Sequence, residues 1–223
     1  FPVVIFGSGP AGLTTALELE KKKIKCLVIE AGEEDYSKVS QNFYKGKVIG
    51  DPLSDISNSR LRQFGGTSGH WGGWCKPLEY YSFDNWVLKA NDLENYKNQT
   101  CEILNIKNQF RRSRLNDYFN QIEFQYSKVR FAEKYKNHIK NSKNIHLVLN
   151  THLSHFEGEN KVVDKAVCIS KKSLIKIKSK YFILACGGIE NSRILLWTRE
   201  KNKNLIEKKL PLGQYWMNHP WIV

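Results

Sequence analysis

Apolar residues fall in short unbroken runs near both ends of the chain and in alternating or helix-spaced sets between them. Val3 to Phe6 are consecutive apolar residues, the pattern of a strand buried on both faces of a parallel sheet. After a glycine-rich stretch, Leu13, Ala16 and Leu17 share one helical face. Lys21 to Lys23 follow, where a helix C-terminus favours cations. Cys26 to Ile29 form a second apolar run, ending at Glu30. Strand, helix and strand within about thirty residues make a βαβ unit.

The middle of the chain is more polar. Residues 33–59 are broken by Gly46, Gly50 and Pro52 and read as an irregular excursion with at most a short helix. Leu93, Tyr96, Thr100, Ile103 and Leu104 predict a helix over 91–104; Val129, Ala132, Tyr135 and Ile139 predict another over 128–141. Three strand candidates follow, at 145–150, 162–169 and 174–177, with turn residues Gly158, Glu159 and Asn160. They read as an antiparallel meander. A last apolar run, Tyr181 to Cys186, meets Gly187 and Gly188 and then a helical stretch from Ile189 to Thr198. The expected fold is α/β: a Rossmann-like parallel sheet with an inserted antiparallel β-meander. One domain is expected over 1–223, divided into a βαβ unit (1–32), a loop and helical excursion (33–144), the meander (145–178) and a return segment (179–223).

Composition narrows the function classes. The 223 residues carry a net charge of +13, and 41% are apolar, enough for one core. Lys and Arg form no dense block with interleaved aromatics, so the charge reads as a solvated Lys-rich surface and no nucleic-acid partner is expected. The short cluster Arg111, Arg112, Arg114 reads the same way. No apolar run reaches membrane-spanning length. The five cysteines are odd in number and form no CxxC pair. Cys26, Cys168 and Cys186 lie in apolar runs and read as buried small hydrophobes in a reducing, cytoplasmic compartment. No Cys/His spacing fits a metal site, so none is expected. His138, His146, His152 and His155 read as surface or structural, and Trp74 as core.

Gly7-Ser8-Gly9-Pro10-Ala11-Gly12 matches G-x-G-x-x-G. The pattern alone is weak. Here it follows a strand, opens a helix, and is answered by Glu30, 18 residues past Gly12, at the end of the next strand. Gly7 permits the tight turn, Gly9 lets backbone N–H groups approach a pyrophosphate, and Gly12 lets helix and strand pack closely. Glu30 suits the ribose hydroxyls of an adenosine and disfavours a 2′-phosphate. The motif does not separate NAD from FAD.

A second glycine cluster, "FGGTSGHWGG", spans residues 64–73. With "GSGPAG…IEAG" before it and "ILACGGIENSRILL" after it, the chain resembles the glucose–methanol–choline family of FAD-dependent oxidoreductases, above all its pyranose-oxidase-like branch. The likeness runs over essentially the whole chain. It implies that Gly7, Ser8, Gly9, Ala11 and Gly12 hold the FAD pyrophosphate and Glu30 the adenosine ribose. Gly65, Gly66, Ser68, His70, Trp71 and Gly73 would line the flavin. Backbone near Leu153 would meet the adenine end, and Ala185, Cys186 and Gly187 would return beside the pyrophosphate. Leu212 to Pro220 resembles the segment that ends in Asp-His-Pro and leads back to the flavin, with Asn218 in place of the usual Asp.

In some members a His at the position of His70 is joined to the flavin 8α carbon, and a neutral imidazole nitrogen is nucleophilic enough for that. In others the resemblance implies only contact with the cofactor. Both roles stay open for His70. The family reaction is oxidation of an alcohol CH–OH group by hydride transfer to flavin N5, here of a sugar or polyol, with the electron acceptor unspecified. Its base is a His paired with a second His or an Asn. Nothing after Gly188 resembles that pair, so it is expected beyond Val223, in a C-terminal substrate part, and this stretch alone is expected to be inactive. Two rivals remain: another FAD enzyme on the same scaffold, such as a sugar-nucleotide mutase or an NAD(P)H-fed reductase, and a non-catalytic flavin-binding module.

Overall fold

The computed structural model describes residues 1–50, 56–84 and 86–217. Pro52, Asn218, His219 and Pro220 lie outside the described residues, and so does that end of the Asp-His-Pro-like segment. The chain divides into two compact units, Phe1–His70 with Phe131–Val223, and Trp71–Arg130.

The first unit is built on β1 (Val3–Phe6), α1 (Pro10–Lys21), β2 (Cys26–Ile29), α2 (Phe131–Asn141), β3 (Ile145–Val148), β4 (Thr151–Glu159), β5 (Val162–Ser170), β6 (Ser173–Lys178), β7 (Tyr181–Leu184) and α3 (Gly188–Lys201). Strands β7, β1, β2 and β3 form one sheet in that order, every pair parallel. All four residues of β1 are buried, as a central strand covered on both faces requires. By the two-residue pleat, Val4 and Phe6 face one way and Val3 and Ile5 the other. Val4, Phe6 and Ile29 join Leu153 and Phe156 of β4, Ala166 and Cys168 of β5, Ile194 of α3 and Leu205 in one core. Helix α1 contacts β1, β2 and β3, and α2 contacts β3. Each fully buried side chain such as Phe6 or Leu13 stabilises the unit by about 1.5–3 kcal/mol. Cys26 and Cys168 are fully buried, as the apolar runs around them predict.

The meander is present but starts one strand later than the pattern suggests. Ile145–Val148 pairs with β2 in parallel and belongs to the main sheet. The meander is β4, β5 and β6, all antiparallel. Strand β4, "THLSHFEGE", has its inward residues at Thr151, Leu153 and Phe156, spaced by two and then by three. A register shift between Leu153 and His155 absorbs the extra residue. That bulge breaks the two-residue alternation and hides the strand from a periodicity reading.

The second unit holds short helices at Ala90–Glu94 and Lys97–Leu104 and two small antiparallel ribbons. The ribbons pair Trp74–Cys75 with Gln125–Tyr126, and Arg112–Arg114 with Asn120–Ile122. The single helix predicted over 91–104 is therefore two. The stretch is rich in asparagine, a poor helix former, and Tyr96 at the break is exposed. Trp74 is not core: it is 67% exposed, with its ring tilted against Tyr126 at 5.2 Å. Among the described residues, no helix is long and apolar enough to cross a membrane.

Candidate functional site

The site begins where β1 must reverse into α1. Gly7 takes φ +99°, and a Cβ on it would lie 2.4 Å from the Ala185 carbonyl oxygen. A Cβ on Gly12 would lie 1.9 Å from the Gly7 carbonyl oxygen. Both glycines are set by close backbone packing. Gly9 differs: a Cβ there would meet nothing within 4 Å. It borders open space at the N-terminus of α1, whose first turn carries Pro10 and no acidic residue. Unpaired N–H groups and the positive end of the helix dipole suit an anion there.

Glu30, 6% exposed, sits at the end of β2 beside this loop. Its Oε2 accepts the Ser8 backbone N–H at 3.0 Å and the Ser8 hydroxyl at 2.6 Å; its Oε1 accepts the Gly32 N–H at 2.8 Å. Oε2 thus has both lone pairs engaged, and Oε1 keeps one for a further donor.

A cleft of about 700 Å³ opens over these elements. Of the residues singled out in the sequence, Gly7, Gly9, Ala11, Glu30, Gly66, Leu153, Ala185, Cys186 and Gly187 line it. The floor is made from the ends of β1 and β2, the start of β4 and the entry to α3. All of these meet because the parallel sheet brings the C-terminal ends of its strands to one edge, where ligands of open α/β folds bind.

Ser8, Gly12, Gly65, Ser68 and His70 do not line the cleft. Ser8 and Ser68 are buried, with their hydroxyls turned into the protein. His70 follows the turn Gly66–Gly69 and is exposed. Trp71 and Gly73 belong to the second unit. There the Trp71 indole donates to the Val129 carbonyl oxygen at 2.9 Å. A Cβ on Gly73 would collide with the Ser127 carbonyl oxygen at 2.2 Å, so its lack of a side chain is explained within that unit.

Several cleft residues carry no signal in the glycine motifs. Arg60 lies with its guanidinium 3.8 Å over the Tyr44 ring and reaches Glu190 of α3 at 3.5 Å. Glu190 is also held by Arg193, at 2.8 Å through Nε. Arg62 is buried, donates to the Ser40 hydroxyl at 2.8 Å and lies 4.5 Å over Phe43. Gln41 fixes this wall by donating to the carbonyl oxygens of Ser57 and Arg60 and accepting the Arg62 N–H. His152, read from sequence as surface or structural, lines the cleft beside Leu153. Burial, with Arg62 and Arg193 nearby, pulls its imidazole below the usual value and keeps it neutral at pH 7. Burial and the Glu30 and Glu190 carboxylates push the Tyr44 phenol up, leaving it a neutral donor. Burial likewise pushes the Cys186 thiol up to about 12; it donates to the Phe6 carbonyl oxygen at 3.2 Å and is no nucleophile. The one available hint was proximity: Arg60 and Arg62 directly precede the second glycine cluster, and His152 precedes Leu153.

A family model described as an FAD binding domain matches residues 1–49. A sequence search of the curated proteins found no match. Among solved structures, the chain is similar to pyridoxine 4-oxidase from Mesorbium loti, with a TM-score of 0.58 and 13% identity. That match covers 85% of this chain and 50% of the other. An FAD-dependent oxidoreductase from Chaetomium thermophilum is similar with a TM-score of 0.59 and 14% identity, over 87% of this chain and 46% of the other. At such identities the likeness is one of fold, and the chain spans about half the length of each. The chain therefore contains an FAD-binding, Rossmann-like α/β domain with an inserted meander, its glycine loop and Glu30 both inside the matched stretch.

Proposed function

We propose that this chain is the FAD-holding part of an oxidoreductase that oxidises a CH–OH group of a small-molecule alcohol, a sugar or polyol. The observation that carries the FAD assignment is the cradle itself. Gly9 faces open space at a helix N-terminus, beside a buried carboxylate that keeps one lone pair free. The cleft volume falls in the range of cofactor sites. FAD, when bound, supplies a two-electron acceptor. Backbone N–H groups of Gly9, Ala11 and Gly12 would hold its pyrophosphate, since those of Gly7 and Ser8 are taken by Ile29 and Glu30, and Glu30 Oε1 would accept one ribose hydroxyl. Leu153 would border the adenine end, with Ala185 to Gly187 on the opposite flank. Gly65, Gly66, Ser68 and His70 are proposed to serve the flavin end. The protein's own contribution is to bind and orient the cofactor. The donor class rests on the resemblance of the ordered motifs to the glucose–methanol–choline family.

FAD binding, followed by quenching of flavin fluorescence, tests the cradle. Gly9→Val should keep the fold and weaken affinity by at least about tenfold, because its side chain would occupy the approach to the helix N-terminus. Equal affinity in the two proteins would remove the pyrophosphate assignment. The donor class is tested by anaerobic bleaching of the flavin in the complete purified protein, with the C-terminal substrate part included. Sugars or polyols should bleach it; bleaching by NAD(P)H alone would favour a reductase. Acid denaturation separates the two roles of His70: yellow colour retained on the polypeptide, and lost in His70→Ala, makes it a tether.

A further inference from the structure

Two buried serines join the first glycine loop to the second in a single chain of hydrogen bonds. Gly65 donates its N–H to Ser8 Oγ at 3.1 Å, so the Ser8 proton goes on to Glu30 Oε2 at 2.6 Å. Phe131, the first residue of α2, donates its N–H to Ser68 Oγ at 3.1 Å, so the Ser68 proton goes to the Gly65 carbonyl oxygen at 2.7 Å. Every link runs the same way: Phe131 to Ser68, Ser68 to Gly65, Gly65 to Ser8, Ser8 to Glu30. The Gly65 peptide unit is engaged at both ends. Ser8 is fully buried, Ser68 and Phe131 are each 1% exposed, and Glu30 is 6% exposed, so water does not compete. In such surroundings aligned hydrogen bonds strengthen one another. The two loops are also in close contact, since a Cβ on Gly66 would lie 3.0 Å from Gly9 Cα.

We propose that Ser8 is a positioning residue that couples the adenosine end of the cleft to the second glycine loop. This rests on the nucleotide reading of the cleft. A ribose hydroxyl donated to Glu30 Oε1 fixes the carboxylate. The fixed carboxylate restrains the Ser8 hydroxyl, and through it the Gly65 peptide and the turn that leads to His70. Occupying the adenosine end therefore orders the Gly65 peptide, which does not itself line the cleft. The coupling needs no movement of backbone, only loss of freedom along the chain.

Amide hydrogen exchange with ADP as the probe tests this, because ADP carries the adenosine and pyrophosphate but no flavin. In the wild type, ADP should slow exchange over residues 7–12 and also over 65–69, the latter by about tenfold. In Ser8→Ala, protection over 7–12 should persist and protection over 65–69 should vanish. Retained protection at 65–69 in Ser8→Ala overturns the proposal. Absence of protection at 7–12 in the wild type would instead overturn the nucleotide reading. If Ser8→Ala does not fold, Ser68→Ala cuts the same chain farther along. It should keep ADP protection at Gly65 and lose it at Phe131; loss at neither residue also overturns the coupling.

Discussion

Gly9 and Gly12 sit three residues apart in one motif, yet their substitution by Ala should fail in opposite ways. Gly9 has φ −68° and open space beyond it, so Gly9→Ala should leave stability within about 0.5 kcal/mol and reduce nucleotide affinity. Gly12→Ala would drive a methyl group into the Gly7 carbonyl oxygen and should cost about 3 kcal/mol or more. Chemical denaturation beside a fluorescence titration reads both. If the two variants behave alike, the assignment of packing and ligand roles within the motif is wrong. The motif reveals the backbone path but not where its side chains turn. Ser8 was expected at the pyrophosphate and instead points inward to Glu30 and Gly65, a choice made by partners 22 and 57 residues away. His152 shows the reverse: nothing local marks it, and it lines the cleft because the start of β4 does.

At the level of elements, strands read from unbroken apolar runs came out in place, whereas β4 and the 91–104 helix did not. Strand β4 departs from alternation at its bulge, and what holds the bulge is tertiary. The Phe156 N–H, freed near the register shift, donates to Thr198 Oγ1 of α3 at 3.1 Å. Thr198→Val removes the acceptor, leaves a buried N–H unpaired and should cost about 1–3 kcal/mol, with Thr198→Ser restoring most of it. A stability equal to wild type in Thr198→Val would show that the bulge does not need α3. A second tie links α1 to α2 and the turn after it. Glu20 accepts from the Ser142 hydroxyl and pairs with His138 Nε2 at 2.5 Å. Burial raises its carboxyl, but the hydrogen bonds from Ser142 and His138 and the His138 charge outweigh it, and the net shift is downward from 4.5. A lowered acid contributes stability that is full above the unfolded value and is lost as pH falls through the lower folded one. Melting scans should therefore show stability falling below about pH 4.5, with a shallower fall in Glu20→Gln; identical slopes would remove Glu20 from the acid response.

Among the described residues, the cleft is assembled from distant parts of the chain: residues 6–7, 9–11 and 29–31 from the opening βαβ unit, 43–44, 59–62 and 66–67 from the irregular excursion, 151–154 from the meander, and 185–190, 193–194, 197 and 216 from the return segment. The glycine motifs announced the first and last of these. The excursion wall, with Arg60, Arg62 and Tyr44, was hidden because its conformation is fixed by Gln41 and by Glu190 on α3, not by any local period. A ligand spanning such a cleft holds together segments that are far apart in sequence, so it should stabilise the first unit as a cooperative whole. ADP at a hundredfold excess over its dissociation constant should add about 2.7 kcal/mol, a rise in melting temperature of about 5–10 °C for a unit of this size. Gly9→Val should keep the ligand-free melting temperature and cut the rise by about half or more. Glu30→Ala should lower both, since it removes the ribose acceptor and also strands the Ser8 and Gly32 N–H donors that the carboxylate satisfies. A rise in melting temperature that is undiminished in Gly9→Val would place the nucleotide away from the α1 N-terminus, and the cleft would then need another occupant.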